Sequence, residues 1–148
     1  MGVDRYSGLP FVARFRWSVG KIMEKFYRSF AEKKIIAAKC EKCGYTVVPP
    51  RQICPQCYSR MGEENFVELS GRGVVESLTE VAFRLDGKGG YIWLEKPELL
   101  AAVKLEGANS TIFVRVEGDA RIGSEVEPVW AEKTEGKPSD LISFRVVK

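Results

Sequence analysis

The chain of 148 residues has no histidine, and its four cysteines all fall within one stretch, CEKCGYTVVPPRQICPQC, from Cys40 to Cys57. Each scarcity excludes something. Without imidazole there is no histidine general base, no Ser-His or Cys-His nucleophile pair, and none of the histidine-bearing metalloenzyme motifs. Twenty Asp and Glu remain, but their spacing singles out no acid–base pair. Long apolar runs are also missing: no segment reaches the roughly 18 apolar residues of a membrane span, and MGVDRYSGLP lacks the apolar run of a signal peptide. Gly2 is followed at the diagnostic position by Tyr6 instead of Ser or Thr, which argues against myristoylation. A soluble, cytoplasmic, non-catalytic protein is therefore expected, with no membrane partner. The glycine-rich DGKGGY (86–91) lacks the Lys-Ser/Thr of a phosphate loop and reads as a mobile connection between strands.

The cysteines form two C-x-x-C knuckles, Cys40/Cys43 and Cys54/Cys57, separated by ten residues. A two-residue gap lets both sulfurs of a knuckle face one ion, and four thiolates complete a tetrahedral site without any other ligand. In a reducing compartment this spacing favours metal over disulfides or free thiols. Zinc is the first choice, with a rubredoxin-type single iron as the alternative, since both accept four sulfurs. A closed four-sulfur site keeps no position for water or substrate, so the metal is expected to be structural.

Charge is unevenly divided. Residues 1–60 carry twelve Lys or Arg against four Asp or Glu, a formal +8, and residues 61–148 carry eleven against sixteen, a formal −5. The basic half suits phosphate groups, whether on a nucleic acid or on a nucleotide-bearing cofactor, or an acidic protein surface; a merely solvated helix face is the competing reading.

Val19, Ile22, Met23, Phe26 and Phe30 recur at helical spacing between Ser18 and Lys33, with Lys21, Lys25 and Arg28 elsewhere on the wheel. The upstream FVARFRWSV (11–19) is a candidate extension of that helix. Around the knuckles Pro49, Pro50 and Pro55 exclude helix. After Arg60 the texture changes to short β-rich runs: FVEL, GVVESLTEVAFRL, LLAAVKLEG, STIFVRVEG, GSEVEPVWAEK and LISFRVVK. Five or six strands in some 80 residues fit a small closed barrel of OB type, which removes its own edges. Gly71 and Gly73, bracketing Arg72 at the head of the longest run, mark a bend or bulge. The predicted fold class is α+β, mainly β: an N-terminal helical segment (1–36), a rubredoxin-like zinc ribbon (37–62) and an OB-fold barrel (63–148).

Two further positions carry ligand hypotheses. Arg51 follows two prolines and precedes the second knuckle, so its backbone is stiff; it suits either bidentate contact with phosphate or carboxylate, or a structural tie between ribbon and barrel. In STIFVRVEG, if Ile112, Val114 and Val116 point inward, Phe113 and Arg115 point outward. An aromatic beside a cation can stack an adenine ring or base, whereas packing of Phe113 against the N-terminal helix is the slightly favoured alternative.

The ordered set of a helix, C-x-x-C-G, PPR (49–51), C-x-x-C, G-R-G-x-V (71–75), Thr79-x-Val81, AAVKLEG and Ile122-Gly123-x-x-Val126 resembles the archaeal and bacterial family of zinc-ribbon plus OB-fold proteins associated with acyl-CoA and thiolases. The likeness covers about residues 18–130. EKPELLAAV replaces that family's usual short Pro-aromatic approach to the middle strands. The resemblance implies a non-catalytic partner of thiolase-superfamily enzymes that helps hold the CoA part of a substrate and bridges enzymes acting in sequence, with hydroxymethylglutaryl-CoA synthase a possible second partner. It carries over Cys40, Cys43, Cys54 and Cys57 as metal ligands, and Pro49, Pro50, Arg51, Gly71, Arg72 and Gly73 as motif positions. CoA or acyl-CoA is the implied ligand, with Arg51, Arg72, Phe113 and Arg115 as candidate contacts. Single-stranded nucleic-acid binding is the rival reading, opposed by the −5 of the barrel half; a purely structural subunit is the third.

Overall fold

The apolar spacing after Ser18 does give one helix, α1 (Gly20–Ser29), tightened into a 3-10 turn at Phe30–Glu32 in a computed structural model that describes residue 16 and residues 18–147. Ile22 and Phe26 are buried, as is Phe30 in the turn, while Val19, counted as the first member of the stripe, lies half exposed before the helix. Most of the candidate extension over 11–19 falls outside the described residues. Phe30 meets Trp130 of the barrel edge to face, with ring centroids 5.3 Å apart, a geometry worth about 0.5–1.5 kcal/mol beyond simple burial. Lys33 ends the helical segment in the left-handed region, at φ 57°.

Eight strands follow: β1 (Ile35–Lys39), β2 (Thr46–Val47), β3 (Phe66–Leu69), β4 (Gly73–Leu85), β5 (Tyr91–Leu105), β6 (Thr111–Glu117), β7 (Glu125–Trp130) and β8 (Leu141–Val146). The first three form a sheet ordered β2-β1-β3, and the rest form a closed barrel ordered β4-β5-β6-β8-β7. Gly73↔Val126 and Val74↔Glu125 close the barrel, and β6 runs parallel to β8 through Val116↔Phe144. This is the expected small closed barrel, and the α+β, mainly β class holds. Three details differ from the sequence reading. FVEL is β3, paired with β1 in the ribbon sheet instead of the barrel, because its partner lies some 30 residues back. The strand around LLAAVKLEG begins at Tyr91, not Leu99, so β5 and not β4 is the longest. Gly73 makes no bulge: a Cβ there would lie 2.6 Å from the Lys104 carbonyl oxygen and 2.8 Å from Val103 Cγ1, so glycine permits close strand approach. The irregularities fall further along, at Val75/Ser77 and Val81/Phe83.

The main core fills the barrel with Val75, Val103, Leu105, Val126 and Phe144, and reaches Phe26 and Phe30 on one side and Ile35 and Ala37 of β1 on the other. A smaller core of Ala38, Cys40, Val47, Cys54 and Met61 lies within the ribbon. Alternation along β1 places the strand between the two.

Candidate metal centre and the groove beside it

The two knuckles repeat one local geometry. Gly44 N–H donates to the Cys40 carbonyl (2.8 Å) and Tyr58 N–H to that of Cys54 (3.0 Å); Cys40 N–H donates to the Tyr45 carbonyl (2.8 Å) and Cys54 N–H to that of Ser59 (2.9 Å). In both, the residue after the second cysteine has positive φ, 76° at Gly44 and 60° at Tyr58. The reversal turns both sulfurs of each knuckle toward the other pair.

All four Sγ atoms lie within 4.8 Å of one another, with Cys40 to Cys57 at 3.5 Å and Cys43 to Cys54 at 3.6 Å. A tetrahedral ion about 2.3 Å from each sulfur requires sulfurs roughly 3.8 Å apart, so the cluster fits zinc or iron. Its protonation fits as well. The Ser59 hydroxyl, 3.1 Å from both Cys40 Sγ and Cys57 Sγ, is the main reason both thiols titrate below the ordinary range, Cys40 at about 6. At Cys43 the Tyr45 backbone N–H favours the thiolate, but desolvation at the sulfur and the neighbouring sulfurs outweigh it and raise the value to about 12. Four sulfurs this close cannot all ionise unaided, and a divalent cation removes that conflict. Ser59 is the site residue that sequence reasoning missed; a serine two positions after a cysteine carries no signal in its type.

The ribbon is joined to the barrel by the turn before β6. Thr46 N–H donates to Asn109 Oδ1 and Asn109 N–H to the Thr46 carbonyl, both 2.8 Å. The Ser110 hydroxyl accepts from Val48 N–H (2.8 Å) and lies 3.0 Å from the Val48 carbonyl. This clamp holds the Pro49–Pro50–Arg51 turn against β6. An open groove of about 570 Å³ results, lined by Arg51, Phe113 and Arg115 together with Phe26, Tyr27 and Leu141.

Three of the four candidate ligand residues are thus brought together. Phe113 is 78% exposed, so it is not packed against the helix as the favoured alternative supposed. Ile112 and Val116 are buried as the alternation requires, Val114 partly. Arg115 pairs with Glu98 at 3.3 Å, and Glu98 also holds Arg84. Arg51 has no ion pair or side-chain hydrogen bond among the described residues. Arg72 lies apart from the groove, exposed between β3 and β4, with its carbonyl accepting from Glu106 N–H at 2.9 Å.

Fold and site define a four-cysteine, rubredoxin-like ribbon built onto a five-stranded barrel. Residues 30–62 match the family described as ChsH2, rubredoxin-like zinc ribbon domain. A DUF35 domain-containing scaffold protein of Methanocaldococcus jannaschii is 31% identical over 130 residues, covering 84% of this chain and 87% of that protein. One of Pyrococcus furiosus is 41% identical over 91 residues, 60% of this chain and 62% of the relative's length. The chain belongs to the DUF35 domain-containing scaffold proteins, which bears out the family resemblance. Two solved structures share the fold: a DUF35-family protein of unknown function from Sulfolobus solfataricus (TM-score 0.65, 24% identity, 86% of this chain and 84% of that one) and the Ltp2-ChsH2(DUF35) aldolase (TM-score 0.60, 21% identity, 88% and 98%). No helix among the described residues is long and apolar enough to cross a membrane.

Proposed function

We propose that the protein is a non-catalytic accessory scaffold that binds a thiolase-superfamily enzyme and holds part of its CoA thioester, with Cys40, Cys43, Cys54 and Cys57 ligating one structural zinc. The observation that carries this reading is the convergence of Arg51, Phe113 and Arg115 in one groove against the ribbon. Zinc held by four thiolates supplies a rigid cross-link and no reactive position. The adenine of CoA stacks on Phe113, and its phosphates meet Arg51, whose charge has no partner among the described residues. Arg115 contributes less, because Glu98 already engages it. An open groove holds only part of so long a ligand, and the pantetheine arm runs out toward the partner's nucleophile. The scaffold description of the two archaeal relatives supports a role without turnover of its own.

Titration with acyl-CoA, with and without the thiolase partner, tests the assignment. Arg51→Ala is expected to weaken binding by about 1.5–3 kcal/mol, the range for a charge-assisted hydrogen-bonding group, with fold and metal content unchanged. Acyl-CoA binding by the assembled complex that survives the substitution intact makes Arg51 structural. Stronger, steeply salt-dependent binding of a single-stranded oligonucleotide, insensitive to this one arginine, points instead to nucleic acid.

A further inference from the structure

Beyond Val81 the β4–β5 hairpin leaves the barrel. β4 pairs with β7 only at Gly73 and Val74, and β5 pairs with β6 only from Leu99 to Lys104. From Phe83 to Trp93 the two strands have only each other, through Phe83↔Trp93, Arg84↔Ile92 and Leu85↔Tyr91. Directly opposed residues share a face, so Phe83, Leu85, Tyr91 and Trp93 make one side of a projecting arm. The Phe83 ring lies 5.0 Å from Tyr91 and 5.2 Å from Trp93, yet the four are 39%, 54%, 59% and 71% exposed.

We propose that this aromatic face is a self-association surface, covered by the same face of a second copy of the chain. Three observations favour that occupant. The first is area: side chains of this size bury about 150–250 Å² each when aromatic, so the open part of the face amounts to roughly 400–500 Å². Two such faces remove at most about 900 Å², short of the roughly 1,000 Å² of a stable specific interface and in the range of a weak, reversible one. The second is charge. Residues 79–97 carry three acidic and three basic side chains, a formal zero within a chain of +3, so two arms meet without repulsion. Arg84 is held by Glu98, and the Asp86 carboxylate is occupied at the turn by the Lys88 and Gly90 N–H groups, at 2.6 and 2.9 Å. The third is shape. A two-stranded hairpin is marginally stable alone in water, and two apolar ribbons related by a twofold axis form an isologous, closed contact at the usual face-to-face sheet spacing of about 10 Å.

Sedimentation velocity of the purified full-length protein across a concentration series tests this. Wild type is expected to show a concentration-dependent monomer–dimer equilibrium. Phe83→Ser/Trp93→Ser should raise the dissociation constant at least roughly tenfold, while Ile122→Ser, at an exposed apolar residue elsewhere, leaves it unchanged. Circular dichroism and metal content establish that the variants fold. Should the double variant not fold, Leu85→Lys, which keeps the aromatic contacts and adds like charge at the contact, replaces it with the same expectation. A monomeric wild type at every concentration overturns the proposal. So does a dimer that the arm variants leave intact, or one that Ile122→Ser weakens equally.

Discussion

Ser59 is a single hydroxyl with two sulfurs to serve. Standing 3.1 Å from Cys40 Sγ and from Cys57 Sγ, one candidate ligand from each knuckle, it stabilises thiolate on both. Groups of this kind orient metal ligands, and their loss ordinarily costs about 10–100-fold in metal affinity. Ser59→Ala is therefore expected to bind zinc that much more weakly in competition with a chromophoric chelator, at an unchanged one ion per chain. Equal affinity for the two proteins reduces Ser59 to a bystander. The cysteines and the serine also show what a sequence exposes at this scale. A C-x-x-C pair is visible because its geometry is contained within four residues. Ser59 reaches Cys40 across nineteen positions, and no local pattern records that. The groove has the same character: the stiff turn before Arg51 and the outward setting of Phe113 were each readable, but their meeting depends on the Asn109 and Ser110 clamp about 60 residues from the turn.

Among the elements, the connection between β7 and β8 does more than link strands. Its Asp140, buried on the 3-10 turn at Pro138–Asp140, accepts through Oδ2 from the N–H groups of Glu135 (2.9 Å), Gly136 (2.6 Å) and Lys137 (2.9 Å). The shaped loop then packs on the end of α1 and the 3-10 turn after it: the Thr134 hydroxyl donates to the Ala31 carbonyl of the turn at 2.8 Å, and a Cβ on Gly136, at φ +80°, would come within 3.2 Å of Arg28 Cα in α1. Burial alone would raise the Asp140 pKa, but the three backbone donors and Lys137 outweigh it and hold the carboxyl below its ordinary value. A carboxyl depressed by folding stabilises the protein fully above its unfolded pKa of about 3.9. That contribution is lost as pH falls through the lower folded value. Asp140→Asn should accordingly lower the thermal midpoint at neutral pH, and the gap from wild type should close in acid. A gap independent of pH assigns the effect to lost hydrogen-bond geometry and not to charge. The strands themselves were legible wherever apolar and polar residues alternate, as in β6 and β8. The apolar run LLAAVKLEG starts β5 too late because Glu95, Lys96 and Pro97 interrupt the strand pattern; they lie exposed in the register shift between Val81 and Phe83, where β5 carries residues with no partner on β4. FVEL reads as a barrel strand but pairs with β1, because pairing is a long-range choice that composition does not encode.

For the molecule as a whole, the two cores differ in what they can support. The barrel core is large, closed and continuous with the helix. The ribbon core has five buried residues, of which Cys40 and Cys54 are themselves candidate metal ligands. So small a core offers little against the chain entropy of ordering two knuckles, and on the proposed function the metal meets the shortfall, its binding free energy then being folding free energy. Elemental analysis is expected to give about one zinc per chain, bound less tightly as pH falls, because each thiol must lose its proton. Chelation should not unfold everything. β1 is shared between the cores, with Ile35 and Ala37 on the barrel side, so it stays anchored when the knuckles open. Hydrogen exchange resolves this residue by residue: the Gly44, Tyr58, Cys40 and Cys54 amides that close the knuckles should lose protection on chelation. Amides of β4 to β8 should keep theirs. Loss of protection throughout the barrel would make the chain one cooperative unit tied together by the metal, and retained protection in the knuckles would show that the ribbon folds without it.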